Sequence, residues 1–180
     1  YFLTTVPSGY STTYFDTSTT SYYGIDVKNN TASGGIGGAI YIGSGATATI
    51  YGNRIDSNTA SATTTDAMGG AVYVATGATM TEPSTSASIY NNLFMNSMRS
   101  NTATTTSGNA LGGALYNAVT VENLYGGIYD GAVITSNKAV SSSGNAFGGG
   151  IYNIGVMTNT ETSTRGYTYA TVKMSSNYVQ

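Results

Sequence analysis

The chain predicts an all-β fold, a right-handed parallel β-helix in which repeated segments stack as coils. Three observations carry this: a recurrent Gly-Gly-Ala-aliphatic-Tyr motif, a second motif ending in Asn at set distances from it, and the absence of any helical period. The first motif stands at Gly37-Gly38-Ala39-Ile40-Tyr41, Gly69-Gly70-Ala71-Val72-Tyr73, Gly112-Gly113-Ala114-Leu115-Tyr116 and Gly148-Gly149-Gly150-Ile151-Tyr152. Its copies lie 32, 43 and 36 residues apart. A solenoid coil takes on the order of 20 residues, so about two coils are expected per repeat, and about eight coils would make a rod roughly 40 Å long.

The second motif is an aliphatic residue or Met followed two places later by a polar residue and then Asn: Val27 to Asn30, Ile55 to Asn58, Met98 to Asn101, Ile134 to Asn137 and Met174 to Asn177. The Asn precedes the next Gly-Gly by 11 residues in three cases and by 7 in the first. Such fixed spacing implies a fixed connection. A third feature is the pair Ile50-Tyr51, Ile89-Tyr90 and Ile128-Tyr129, spaced 39 and 39. The variable stretch after each Gly-Gly motif, such as Thr79 to Ser84, reads as loop. The Tyr/Thr-rich residues 1–26 read as a cap or divergent coil, and 27–180 as β-helix repeats, a window of a longer chain.

Within a strand successive side chains alternate, which places Gly38, Ile40 and Ile42 on one face and Ala39 and Tyr41 on the other, with the aliphatic set inside. Val72 and Val74 repeat the pattern, whereas Asn117 and Asn153 stand in later copies where the second aliphatic stood. The structural turns fall to Gly37, Gly38, Gly69, Gly70, Gly112, Gly113, Gly148 and Gly149, where a missing Cβ permits positive φ and close approach of coils. Asn58, Asn101, Asn137 and Asn177 suit the same purpose, as Asn tolerates a left-handed conformation and hydrogen-bonds as a ladder. Hairpin chemistry is sparse: Asp130-Gly131 is the one two-residue turn signal of the Asn-Gly or Asp-Gly type, which argues against an antiparallel sandwich.

Composition bounds the chemistry. Only 8% of residues are charged and the net charge is −2, with six basic residues spread along the chain, which argues against nucleic acid as a partner. No His or Cys is present, so there is no imidazole base, no thiolate nucleophile and no zinc site of the usual ligands. No apolar run is long enough to span a membrane. A surface rich in Thr, Ser, Asn, Gly and Tyr points to an extracellular or cell-surface location.

The Gly-Gly-Ala-aliphatic tetrapeptides at 37–40, 69–72 and 112–115 resemble the repeats of polymorphic outer-membrane proteins, the passenger regions of autotransporter-type adhesins. Gly150 replaces Ala in the last copy, and Val27, Ile55, Met98, Ile134 and Met174 stand where that family has Phe. The resemblance implies a right-handed parallel β-helix, surface display and adhesion.

Parallel β-helices also carry polysaccharide-cleaving enzymes, which need clustered carboxylates for calcium or acid–base work. Here Asp16, Asp26, Asp56, Asp66, Glu82, Glu122, Asp130 and Glu161 are isolated in sequence. No catalytic residue, metal site or cofactor is therefore expected. The expected function is a non-catalytic extracellular structural or adhesive repeat protein, with a carbohydrate-binding or polysaccharide-degrading β-helix as the alternative. Candidate surface residues are Tyr41, Tyr73, Tyr116 and Tyr152, with Tyr51, Tyr90 and Tyr129 as a second series. Rows of Tyr serve either internal stacking or an interface, since the ring joins apolar area to a polar tip. Candidate partners are another copy, as a homo-oligomer or filament, and a glycan or host-surface ligand.

Overall fold

The computed structural model describes residues 26–49, 54–81, 97–122, 132–158 and 172–180. All of its regular structure is β. The first layer comprises β1 (Asp26–Lys28), β2 (Thr31–Ala32), β3 (Ile40–Ile42) and β4 (Thr47–Thr49). The second comprises β5 (Arg54–Asp56), β6 (Thr59–Ala62), β7 (Ala67–Met68), β8 (Val72–Val74) and β9 (Thr79–Thr81). The third has β10 (Ser97–Arg99), β11 (Thr102–Thr105), β12 (Ala110–Leu111), β13 (Leu115–Asn117) and β14 (Thr120–Glu122). The fourth has β15 (Ala132–Thr135), β16 (Lys138–Ser141), β17 (Ala146–Phe147), β18 (Ile151–Asn153) and β19 (Val156–Thr158). The fifth holds β20 (Val172–Ser175) and β21 (Tyr178–Val179).

These strands form five parallel sheets: β1-β5-β10-β15-β20, β2-β6-β11-β16-β21, β7-β12-β17, β3-β8-β13-β18 and β4-β9-β14-β19. Every named pairing is parallel and joins strands one whole repeat apart, as in Val27↔Ile55, Ile55↔Met98 and Met98↔Ile134. One repeat therefore makes one coil, not two. The coil is larger than expected because up to five short strands and their bends complete a single turn, and direct contact between rows of equivalent residues leaves no room for a second layer. The five layers span roughly 20 Å at the usual strand spacing, half the expected rod.

The interior is a column of aliphatic side chains: Ile42, Ile55, Val72, Val74, Met80, Met98, Leu115, Val121 and Ile134 are all buried, with Ala71 and Ala114 among them. That placement of alanine corrects the simple alternation. The Ala71 and Val72 N–H groups both donate to the Ala114 carbonyl, at 2.9 and 2.9 Å, and Ala39 and Ile40 both donate to that of Ala71. Two residues thus oppose one carbonyl, and the corner resets the inside–outside order just before the strand. Thr79–Thr81 is likewise strand β9 rather than loop, because Met80 fills the core between two β-branched threonines.

The Gly-Gly pair divides the two tasks expected of it. Gly37, Gly69, Gly112 and Gly148 have φ of 58–70°, and Gly38, Gly70, Gly113 and Gly149 lie where a Cβ would overlap the backbone of neighbouring coils. The asparagines depart from expectation. The left-handed residue is the one before each: Asn29, Ser57, Ser100, Ser136 and Ser176, with φ of 53–60°. The Asn itself must point inward to join its ladder, so the reversal falls on its neighbour. Replacing exposed Ser100 with Gly should relieve this conformation and raise stability by about 0.5–1 kcal/mol, whereas Ser100→Val should lower it. Urea denaturation of the two variants checks the pair.

Candidate functional site: the tyrosine row and its ladders

Tyr41, Tyr73, Tyr116 and Tyr152 occupy the middle of β3, β8, β13 and β18 and pair in register, Tyr41↔Tyr73 and Tyr73↔Tyr116 and Tyr116↔Tyr152. Because the flanking aliphatics face the core, all four rings lie on the outer side. Ring centroids are 5.3, 5.0 and 5.6 Å apart with interplanar angles of 2°, 9° and 23°, a continuous stack. The faces of Tyr73 and Tyr116 are turned to their neighbours. A stack of this kind adds about 0.5–1.5 kcal/mol per pair beyond area burial. Exposure falls from 44% at Tyr41 to 8% at Tyr116. Tyr51, Tyr90 and Tyr129 lie outside the described residues.

A second row runs beside the tyrosines. The residue ahead of each Gly-Gly is apolar in all four copies: Ile36, Met68, Leu111 and Phe147. Met68, Leu111 and Phe147 pair in register, and Ile36 bridges Met68. The Phe147 ring sits 6.1 Å from that of Tyr152 across the Gly-Gly corner. In the layer below, Leu111 and Tyr116 are both buried, and the Tyr116 ring is stacked between those of Tyr73 and Tyr152. Sequence reasoning missed this row, although the apolar residue before every Gly-Gly was a legible signal.

Burial alters two of the phenols. Burial pushes the Tyr73 phenol above its ordinary value, with Tyr41 adding to the effect. Burial raises Tyr116 as well, then Tyr73, Tyr152 and the carboxylate of Asp66. Phenols of the unfolded chain ionise at about pH 10, so the stability these two residues contribute is complete below that value. It is lost as pH rises through the unfolded value towards the folded one. Wild type should therefore lose stability above about pH 10, and a Tyr73→Phe/Tyr116→Phe variant should lose less over the same interval. Chemical denaturation at stepped alkaline pH checks the difference.

Polar side chains are tied coil to coil. Asn30, Asn58, Asn101, Asn137 and Asn177 form one ladder, with rungs 28, 43, 36 and 40 residues apart in sequence. At each rung the backbone N–H and Nδ2 of one Asn donate to Oδ1 of the Asn in the next layer, as Asn58 does to Asn101 at 2.9 and 3.0 Å. Nδ2 also donates back to a carbonyl of the preceding layer, Asn58 to Val27 and Asn101 to Ile55. Asn117, buried beneath the tyrosine row, donates to Asn153 Oδ1 at 2.7 Å and to the Val156 carbonyl.

The carboxylates whose side chains are described take part in the same linkage. Asp56 Oδ1 accepts from the Ser97 hydroxyl and the Arg99 N–H, and Oδ2 lies 3.4 Å from Arg54. Asp66 Oδ1 accepts from the Asn109 N–H at 2.7 Å. Asp26 and Asp56 are out of register, since Asp26 pairs with Arg54 and Lys28 with Asp56. Among the described residues no three acidic side chains gather, and no buried side-chain nitrogen or oxygen lacks a partner.

Parallel sheets, one-repeat register and internal ladders define a right-handed parallel β-helix repeat protein. Residues 11–131 match the model of the NosD family, described as periplasmic copper-binding protein, and the chain belongs to that family. No curated protein and no solved structure matched the chain.

Proposed function

We propose that the chain is a non-catalytic structural or adhesive β-helix of the cell envelope, acting through its shape and its outer surface. The observation that carries this reading is the use of its polar groups: Asp56, Asp66 and the Asn rows are spent on linking coil to coil. Such groups are not free to act as a paired acid and base. The periplasmic description of the family supports an envelope location. Display on the outer surface, as in an autotransporter-type passenger or fibre, is the finer form of the reading and rests on the Gly-Gly-Ala-aliphatic repeats.

The donors present do not match the family's copper-binding description. Copper favours imidazole, thiolate and thioether ligands, and the chain has neither His nor Cys. Met80 and Met98 are sealed in the core. No two described methionines are register partners: Val121 stands between Met80 and Met157, Ile134 between Met98 and Met174, and Met68 pairs with Leu111. These residues do not fit a copper centre, and no chemistry is derived through one.

A screen of polysaccharides with and without calcium tests the non-catalytic reading. No turnover is expected; cleavage that disappears in Asp66→Asn or Asp56→Asn would replace it with the polysaccharide-degrading alternative.

A further inference from the structure

We propose that the outer face of the β2-β6-β11 sheet binds ice, through Thr31, Thr59, Ser61, Thr102 and Thr104. The strands set these residues in a grid. Thr31, Thr59 and Thr102 are register partners in one column, and Ser61 and Thr104 in a second, two positions further along the strands. The intervening Ala60 and Ala103 are fully buried, so alternation turns the hydroxyl residues outward. A parallel sheet spaces such groups about 4.8 Å apart between layers and about 6.6 Å apart along a strand. Both distances lie close to oxygen repeats on a prism face of hexagonal ice. The grid itself carries no charge, and Lys138 and Val140 end it in the fourth layer.

These hydroxyls are also unspent. Further along the same coils, Thr105, Ser107, Ser141 and Ser143 each donate to a carbonyl of the preceding layer, at distances from 2.7 to 3.1 Å. The five of the grid make no hydrogen bond among the described residues. No buried side-chain oxygen lacks a partner, so theirs are open to water. The grid is rigid as well. Each of its strands starts beside an Asn of the ladder, where Asn58 donates to Asn101 at 2.9 and 3.0 Å, and threonine is stiff at χ1. An ordered lattice is bound best by groups ordered beforehand, since each one immobilised on contact would cost entropy. A polysaccharide would be gripped by aromatic faces and by carboxylates or amides, none of which lies on the grid. Thr47, Thr79 and Thr120 make a similar column on β4, β9 and β14, but Glu122 stands in the column beside it.

A chain that ignored ice would still be a scaffold, so this inference and the proposed function fail separately. The test lets the whole chain partition into slowly growing ice, with crystal shape and thermal hysteresis read alongside. Wild type is expected to enter the ice and shape it, whereas an unrelated protein of the same size stays in the liquid. Thr59→Lys and Thr102→Lys should each lower hysteresis at equal concentration by about tenfold or more while leaving the circular dichroism spectrum unchanged. Thr104→Asp serves in place of either that fails to fold. Thr120→Lys, on the other threonine column, should behave as wild type. A wild type left in the liquid overturns the proposal, as does hysteresis that survives both lysine substitutions or falls equally in Thr120→Lys. Retention on an insoluble polysaccharide that is lost in Thr102→Lys, with no uptake into ice, would overturn it too and give the face to a glycan.

Discussion

Asn101→Ala is expected to lower stability by about 3–5 kcal/mol, far beyond the usual effect of truncating one polar side chain. Asn101 is fully buried, and its amide joins three layers. Its Oδ1 accepts from the Asn58 N–H and Nδ2, while its own Nδ2 donates to Asn137 Oδ1 and to the Ile55 carbonyl. Alanine leaves those donors of Asn58 and the Ile55 carbonyl unmatched in a site closed to water. The cost of burying an unsatisfied group, about 1–3 kcal/mol each, outweighs the modest gain of any single bond. Asn101→Asp should be at least as harmful, because it sets a carboxylate against the Ile55 carbonyl and Asn137 Oδ1. Asn30→Ala at the exposed end of the ladder should cost less than about 1 kcal/mol. Urea denaturation followed by both tyrosine fluorescence and circular dichroism measures all three variants; a small Asn101→Ala effect would show that the ladder is not what ties the layers.

Much of this fold was legible in the chain because a solenoid writes the same contact several times. The Asn positions and the Gly-Gly-Ala-aliphatic-Tyr copies are the rows that touch between layers, so their recurrence in sequence is the register itself. The number of coils per repeat was not legible. Periodicity gives the residues between equivalent points but not the perimeter they enclose, and the short strands Ala67–Met68 and Ala110–Leu111 carry too few residues to show alternation. The exchange of roles between Asn and the Ser before it has a similar cause. Both residue types accept turn conformations, and only the requirement that the amide face inward decides which one takes positive φ.

The candidate site was legible in its members rather than in its state. Alternation placed Tyr41, Tyr73, Tyr116 and Tyr152 outside, yet Tyr116 is nearly buried. Alternation reports direction within one strand, whereas Tyr116 is stacked between Tyr73 and Tyr152 of the neighbouring layers, which alternation does not report. Stacking leaves the inner rings little open surface, and burial, with the neighbouring phenols, raises those of Tyr73 and Tyr116. What remains open lies mainly at its ends, around Tyr41 and Phe147.

Gly113→Ala is expected to cost about 4 kcal/mol or more, or to prevent folding outright, although it adds one methyl group. An added Cβ would overlap the Gly149 carbonyl oxygen in the layer above and the backbone of Lys138. Neither is the end of a flexible side chain. The Gly149 segment is held by the Gly113 N–H bond to the Gly148 carbonyl at 3.0 Å, and Lys138 by its N–H bond to the Asn101 carbonyl at 2.9 Å. Relief therefore requires two coils to separate, which breaks register in both the Asn ladder and the tyrosine stack. Gly45 provides the contrast: its φ is +77° but a Cβ there meets nothing within 4 Å, so Gly45→Ala should cost only the backbone strain of about 1–2 kcal/mol. Comparing the thermal melts of the two variants separates the two uses of glycine, since close approach fails completely where conformational strain only weakens. Equal losses at both positions would mean that neighbouring coils yield to a methyl group, and that the second glycine of each pair is not what sets their spacing.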